Sequence, residues 1–285
     1  MHPLDGPRLK IRRAKSQLDA FRRAEQVFWK KSGYEVVKAE FNPKTQNDVY
    51  RVSIKFSPPQ ELGILIGEMA HNLRSALDGL VYQLALLNPK TKTPARSTQF
   101  PVFLCGYTNR KDRWGKPIPH FKGKRKRLGQ GERMIQELLP EHQKIIEGLQ
   151  PYKRIGRSHD KRPWLGFARS HPLYLLSEIN NADKHRLIQV VGFKPTGLTW
   201  VGWGDLVDSP VYSQRTRVLK DGAKLCEFSP NVNVQSKLIP LIAFSEGCEA
   251  AKNLIVVSTF HVIAEEVSKI VESFGPEFGK RAKSP

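Results

Sequence analysis

His71, Arg74 and Asp78 stand three and four residues apart within "EMAHNLRSALDGLVYQLALL", residues 68–87. An imidazole exchanges a proton near neutral pH, a guanidinium braces a phosphate, and a carboxylate orients either group. A second set lies in "INNADKHR", where Asp183 and His185 flank Lys184. These five residues suit metal-independent RNA cleavage. His71 or His185 would take the 2′-hydroxyl proton, Arg74 would clamp the phosphate, and Asp78 or Asp183 would orient them. The same residues also suit scaffolding. A buried Arg–Asp cluster can orient two helices, and removing one partner then costs about 3–5 kcal/mol.

A helix turns about 100° per residue, which sorts the first segment into faces. Leu62, Ile66, Met69, Leu73, Leu77, Leu80 and Leu84 form a core stripe. Glu61, Glu68, Asn72 and Gln83 form a solvent side. His71, Arg74 and Asp78 fall on a third stripe with Ile64, Gly67, Tyr82 and Ala85. Gly67 and Ala85 leave room for another segment, so this stripe is expected to be covered and its charges partnered. On residues 171–186, Asn180, Asp183 and Arg186 continue the apolar stripe of Leu175, Leu176 and Ile179. Arg74 is therefore expected to pair with Asp183 or Asp78, with His71 beside them.

Other segments must hold these helices. Ile11, Ala14, Leu18, Phe21, Ala24 and Phe28 recur at helical steps over residues 8–31. "YEVVKAEF" and "DVYRVSIKF" predict a hairpin, with Tyr50, Val52, Ile54 and Phe56 on its inner face. Residues 89–170 read as a basic, loop-rich insertion with a short helix near 141–149. Short apolar runs over 187–244, with an Asp221-Gly222 turn, predict an antiparallel sheet. A helix is expected over 248–274, and a polar tail over 275–285. Helices first, sheet later and a helix last describe an α+β fold, read as one domain over 1–285 with residues 1–88 as a helix–hairpin–long helix unit.

The net charge of +20 is concentrated. Residues 1–31 carry nine Lys/Arg against three Asp/Glu, and residues 110–170 carry seventeen against six. Such asymmetry favours polyanions, so RNA or DNA is the expected partner. Lys124, Arg125, Lys126, Arg127, Lys153 and Arg154 are candidate phosphate contacts. Trp114, His120, Phe121, Tyr152 and Trp164 interleave with them as stacking platforms or loop anchors. A homodimer is carried as the assembly state, and no membrane is expected: the longest apolar run, "LIPLIAF", falls far short of the roughly 20 residues a bilayer helix needs. Cys105, Cys226 and Cys248 are odd in number and widely spaced, which points to a reducing cytoplasm and to neither a disulfide framework nor a zinc site. No phosphate-loop, nucleophile-elbow or H-E-x-x-H motif occurs, and no cofactor or metal is expected.

The order "HNLRSALDGLVYQLA", "FPVF", "LQPY" and "INNADKHR" over residues 60–190 resembles a group of bacterial and phage-borne proteins of unassigned activity. That resemblance implies a shared fold. The polar-centred long helix is also similar, more distantly, to HEPN domains, helical proteins that include metal-independent ribonucleases of toxin and defence systems. Their signature is an Arg, a polar residue, and a His four to six positions on. Here Ser75 follows Arg74, while His71 precedes it. The resemblance implies catalytic roles for Arg74 and for one of His71 or His185.

Overall fold

Apolar residues at three- and four-residue steps bury one face of each long helix, and the computed structural model shows where those faces go. It describes residues 2–31, 34–55, 57–104, 107–111, 117–119, 129–154, 169–185, 190–201, 206–208, 221–230, 235–245 and 247–279. The fold is α+β. Helices α1 (Asp5–Lys31), α2 (Glu61–Leu86), α3 (Gln130–Ile135), α4 (Pro140–Gly148) and α5 (Pro151–Arg154) are followed by α6 (Pro172–His185), α7 (Val256–Ser273) and α8 (Gly275–Gly279). The strands are β1 (Tyr34–Asn42), β2 (Asn47–Ile54), β3 (Tyr107–Lys111), β4 (Pro117–Pro119), β5 (Val190–Val201), β6 (Leu206–Asp208), β7 (Lys224–Phe228) and β8 (Gln235–Phe244). Among the described residues no helix is long and apolar enough to cross a membrane.

The chain divides into two compact units, one of Met1–Gln17, Gly67–His185 and Phe260–Pro285, the other of Leu18–Ile66 and Arg186–Thr259. In the first, α2 is the central element. Met69, Leu73, Leu77, Leu80 and Leu84 are buried as the helical period requires, and so is Ala85. Buried Gln17 bridges to this helix, its amide donating to Glu68 and its carbonyl accepting from Asn72 at 3.0 Å. On α1, Arg8 forks onto Glu272 of α7 and Lys15 reaches Glu265 at 2.7 Å. Exposed pairs of this kind contribute little beyond fixing orientation. The apolar faces carry the packing.

The second unit holds a four-stranded sheet in the order β1-β2-β7-β6 and a separate β5–β8 ribbon. Of the strands described within 187–244, β5 and β8 form an antiparallel sheet of their own, whereas β6 and β7 do not belong to it. β7 pairs with β2 instead, adding the late strands to the N-terminal hairpin. The Asp221-Gly222 turn makes that join. Gly222 has φ +74°, its N–H bonds Val52 O at 2.9 Å, and the Asp221 carboxylate accepts from Ile54 N at 2.7 Å. A residue with a side chain is strained at that φ, whereas glycine is not. The β2–β7 register shifts between Tyr50 and Arg51. Val49 and Val52 are buried as a result, while Tyr50 and Ile54 are half-buried, so the simple alternation read from the sequence breaks.

Further differences are local. α7 starts at Val256, after turns over 249–253, and not at Cys248. Tyr107–Lys111 and Pro117–Pro119 contribute the β3–β4 ribbon and residues 130–135 a helix, all within the stretch expected to be irregular.

Candidate functional site

His71, Arg74, Asp78 and Asp183 all lie in the first unit, and the structure separates them into two groups. The first is a clamp. Arg74 Nε donates to Asp78 Oδ2 at 3.2 Å, and Nη2 donates to Asp78 Oδ1 at 2.9 Å. The i,i+4 spacing puts both side chains on one helical face, which permits this two-bond pairing. Nη2 also donates to Phe100 O at 2.5 Å, and Phe100 N donates back to Asp78 Oδ1 at 2.9 Å. The pair therefore holds both backbone polar groups of one residue. Phe100 is fully buried, and the Arg74 side chain is only 13 % exposed.

The clamp continues along "FPVF". Gln150, within "LQPY" and just before α5, is fully buried. Its carbonyl accepts from Phe103 N at 3.0 Å, and its amide donates to Pro101 O at 2.9 Å and Ile146 O at 3.1 Å. Upstream, the Glu137 carboxylate receives Ala95 N at 2.9 Å and the Thr98 hydroxyl. Three motifs far apart in sequence thus converge to bind one irregular segment. A segment without ladder hydrogen bonds must find partners for its backbone elsewhere, and Arg74, Asp78 and Gln150 supply them. Phe100 and Gln150 fall within "FPVF" and "LQPY", two motifs that carry the resemblance, but the sequence assigns neither residue a role. Only the polar residue before Pro151, after the apolar Ile146, hinted at Gln150.

The second group is His71 with Asp183. Arg74 pairs with Asp78 and not with Asp183, so the alternatives left open by spacing resolve in favour of the local partner. Asp183 instead packs on Gly67, the small residue that leaves room on the covered stripe. A Cβ at Gly67 would overlap the Asp183 carboxylate, with Oδ1, Cγ and Oδ2 as its nearest neighbours. Burial raises the Asp183 carboxyl above its ordinary 3.8, and the nearby His71 opposes that rise. His71 itself is exposed, contrary to the expectation that the whole stripe is covered, and its Nε2 lies 3.4 Å from Ser75 Oγ. The stripe is closed at Arg74 by the Phe100 segment and open one turn earlier.

Gly67→Ala tests this packing. In an exposed helix the change gains about 1 kcal/mol. Here overpacking against Asp183 is expected to cost about 1–3 kcal/mol. Adding Asp183→Ala in the same chain should recover most of the loss in a urea melt. The sign of the Asp183 titration gives a second readout. A raised folded value contributes stability that is complete below 3.8 and lost as pH rises through the folded value. Asp183→Asn should therefore be more stable than the wild type at neutral pH, and the gain should vanish below pH 3.8.

His185 is the last residue of α6, and Arg154 the last of α5. Lys153 pairs with Glu147 at 3.2 Å. Lys124, Arg125, Lys126 and Arg127 lie outside the described residues, as do Trp114, His120, Phe121 and Trp164. Cys226 and Cys248 are buried as thiols. Among the described residues, no three His, Cys, Asp or Glu side chains gather to hold a metal ion. No protein-family model matches the chain, and comparisons with curated proteins and with solved structures find no match for it.

Proposed function

We propose that this protein is a nucleic-acid-associated protein that binds RNA or DNA in the cytoplasm through exposed cations, with the Arg74–Asp78 pair serving as scaffold. One observation carries the reading. On the first half of α1, Arg8 and Lys15 are matched by Glu272 and Glu265, whereas Lys10, Arg12 and Arg13 are exposed and form no ion pair among the described residues. Unmatched cations on a rigid helix offer phosphate contacts without first breaking an internal pair. Arg74 is a poorer phosphate ligand, because its Nε and Nη2 donors are already directed at Asp78 and Phe100.

Fluorescence anisotropy with a labelled 20-nucleotide strand is the direct test. Raising salt from 50 to 200 mM should weaken binding by roughly 50- to 130-fold if about four or five phosphates are contacted. The triple change Lys10→Gln, Arg12→Gln, Arg13→Gln should weaken binding and flatten the salt slope. Affinity indifferent to salt would refute the reading.

A second reading keeps HEPN-like RNA cleavage and rests on His71, which is exposed beside the Ser75 hydroxyl. Cleavage of labelled RNA in EDTA by the wild type, abolished in an equally folded His71→Ala, would favour it. Intact RNA in both would leave binding alone.

A further inference from the structure

A groove of about 550 Å³ runs between the first residues of α1 and one face of α2, entirely within the first unit. Its position follows from small residues. Gly79 has no side chain, and a Cβ there would already touch Pro7 Cγ at 3.5 Å, so the helix and the proline ring approach closely along the floor. Gly6 adds an open wall, since a Cβ there would meet nothing within 4 Å. Around this apolar base stand Tyr82, Lys10, His2 and Gln83. The Tyr82 ring is 41 % exposed, and Lys10 forms no ion pair among the described residues. No carboxylate lines the groove.

We infer that this groove binds one nucleotide unit, with its base stacked on Tyr82 and its phosphate at Lys10. The inference rests on the nucleic-acid reading above and gives that reading a site. The size suits such a ligand, because small-molecule pockets span about 300–1,000 Å³. An exposed tyrosine beside Pro3 and Pro7 favours a planar ring over a branched aliphatic group. The ammonium, with no acid beside it, selects an anion over a cation. Gln83 has both a donor and an acceptor for a base edge. Two sources share this chemistry: a free mononucleotide, and one residue of a single strand. A duplex keeps its bases stacked inward and cannot offer a face to Tyr82.

The experiment uses the full chain and a labelled single-stranded RNA bearing one 5-iodouridine. Ultraviolet irradiation is expected to cross-link the strand to the peptide that contains Tyr82. Tyr82→Ala should weaken single-strand binding roughly 10-fold while leaving duplex binding unchanged. Gly6→Phe, whose Cβ has open space, should do the same by occupying the groove, with a urea melt matching the wild type as the check that the fold is kept. Lys10→Gln should lower the salt slope by about one phosphate. Uridine monophosphate at millimolar concentration separates the sources: loss of the Tyr82 cross-link assigns the groove to free nucleotides as well, and its persistence assigns it to the strand. A cross-link elsewhere, with Tyr82→Ala and Gly6→Phe binding as wild type, overturns the groove and leaves salt-dependent binding standing. Absence of any binding by the wild type overturns both.

Discussion

Arg74→Ala is expected to lower the unfolding free energy by about 2–4 kcal/mol, somewhat under the full cost of breaking a buried pair because Asp78 retains some exposure. The alanine leaves the Asp78 carboxylate without its cation and the Phe100 carbonyl without its donor. A buried acceptor stripped of its partner costs about 1–3 kcal/mol by itself. Asp78→Ala should cost a similar amount, since it orphans Arg74 and Phe100 N together. The double variant should lose less than the sum, because both single changes break the shared Arg74–Asp78 bonds. Arg74→Lys should rescue little: an ammonium is a point donor and cannot fork onto Asp78 while also reaching Phe100 O. Urea melts of the wild type and the four variants measure these differences, and amide exchange at Phe100 reports whether its segment has come loose. If Arg74→Ala melts like the wild type while abolishing RNA binding, the guanidinium is a ligand-binding group and the scaffold assignment fails.

The second large effect lies in the other unit, at Glu227. This carboxylate is buried on β7, where it accepts from Asn42 Nδ2 at 3.0 Å, Thr45 Oγ1 at 2.7 Å and Lys224 Nζ at 2.5 Å. It thereby ties the β1–β2 turn to the neighbouring strand. Those donors, Lys224 foremost, hold its pKa down at about 2. Charge-assisted bonds are about twice as strong as neutral ones, so Glu227→Ala is expected to cost about 3–4 kcal/mol. Glu227→Gln keeps the shape but replaces a carboxylate by a neutral acceptor opposite Lys224, and about 2 kcal/mol is expected. The pH dependence follows from the depressed value. The stabilisation is complete above the ordinary 4.5 and is lost as pH falls from there through about 2. Wild type should therefore lose stability over that window, and Glu227→Ala should lose correspondingly less. Parallel wild-type and variant curves would contradict the tie.

Local regularities were readable from residue types alone. The stripe from Ile11 to Phe28 marked α1, the leucine series marked α2, and Gly67 and Ala85 marked a face where another element comes near. The charged positions were found, but not their partners. Arg74 had two acceptable carboxylates, and only coordinates show that the one a turn away is chosen while Asp183 settles on Gly67. Phe100 was hidden for a different reason: its contribution is a backbone N–H and C=O, which every non-proline residue has. The sheet partner of β2 was equally hidden, because alternation reports that a strand is half-buried and not which strand lies alongside. The shift between Tyr50 and Arg51 then displaced even the inward phase.

The pairing of β2 with β7 joins residues 48–51 to residues 224–228. During synthesis, the N-terminal hairpin leaves the ribosome long before its neighbour exists. At roughly 5–20 residues per second, the wait is on the order of ten to thirty seconds. Throughout it, one side of β2 presents open amides and carbonyls, a template for stray strands. The charges of Glu35, Lys38 and Glu40 guard the opposite margin through Lys55, Asp48 and Arg51. A nascent chain halted before residue 224 should consequently be the form most prone to self-association and to capture by chaperones.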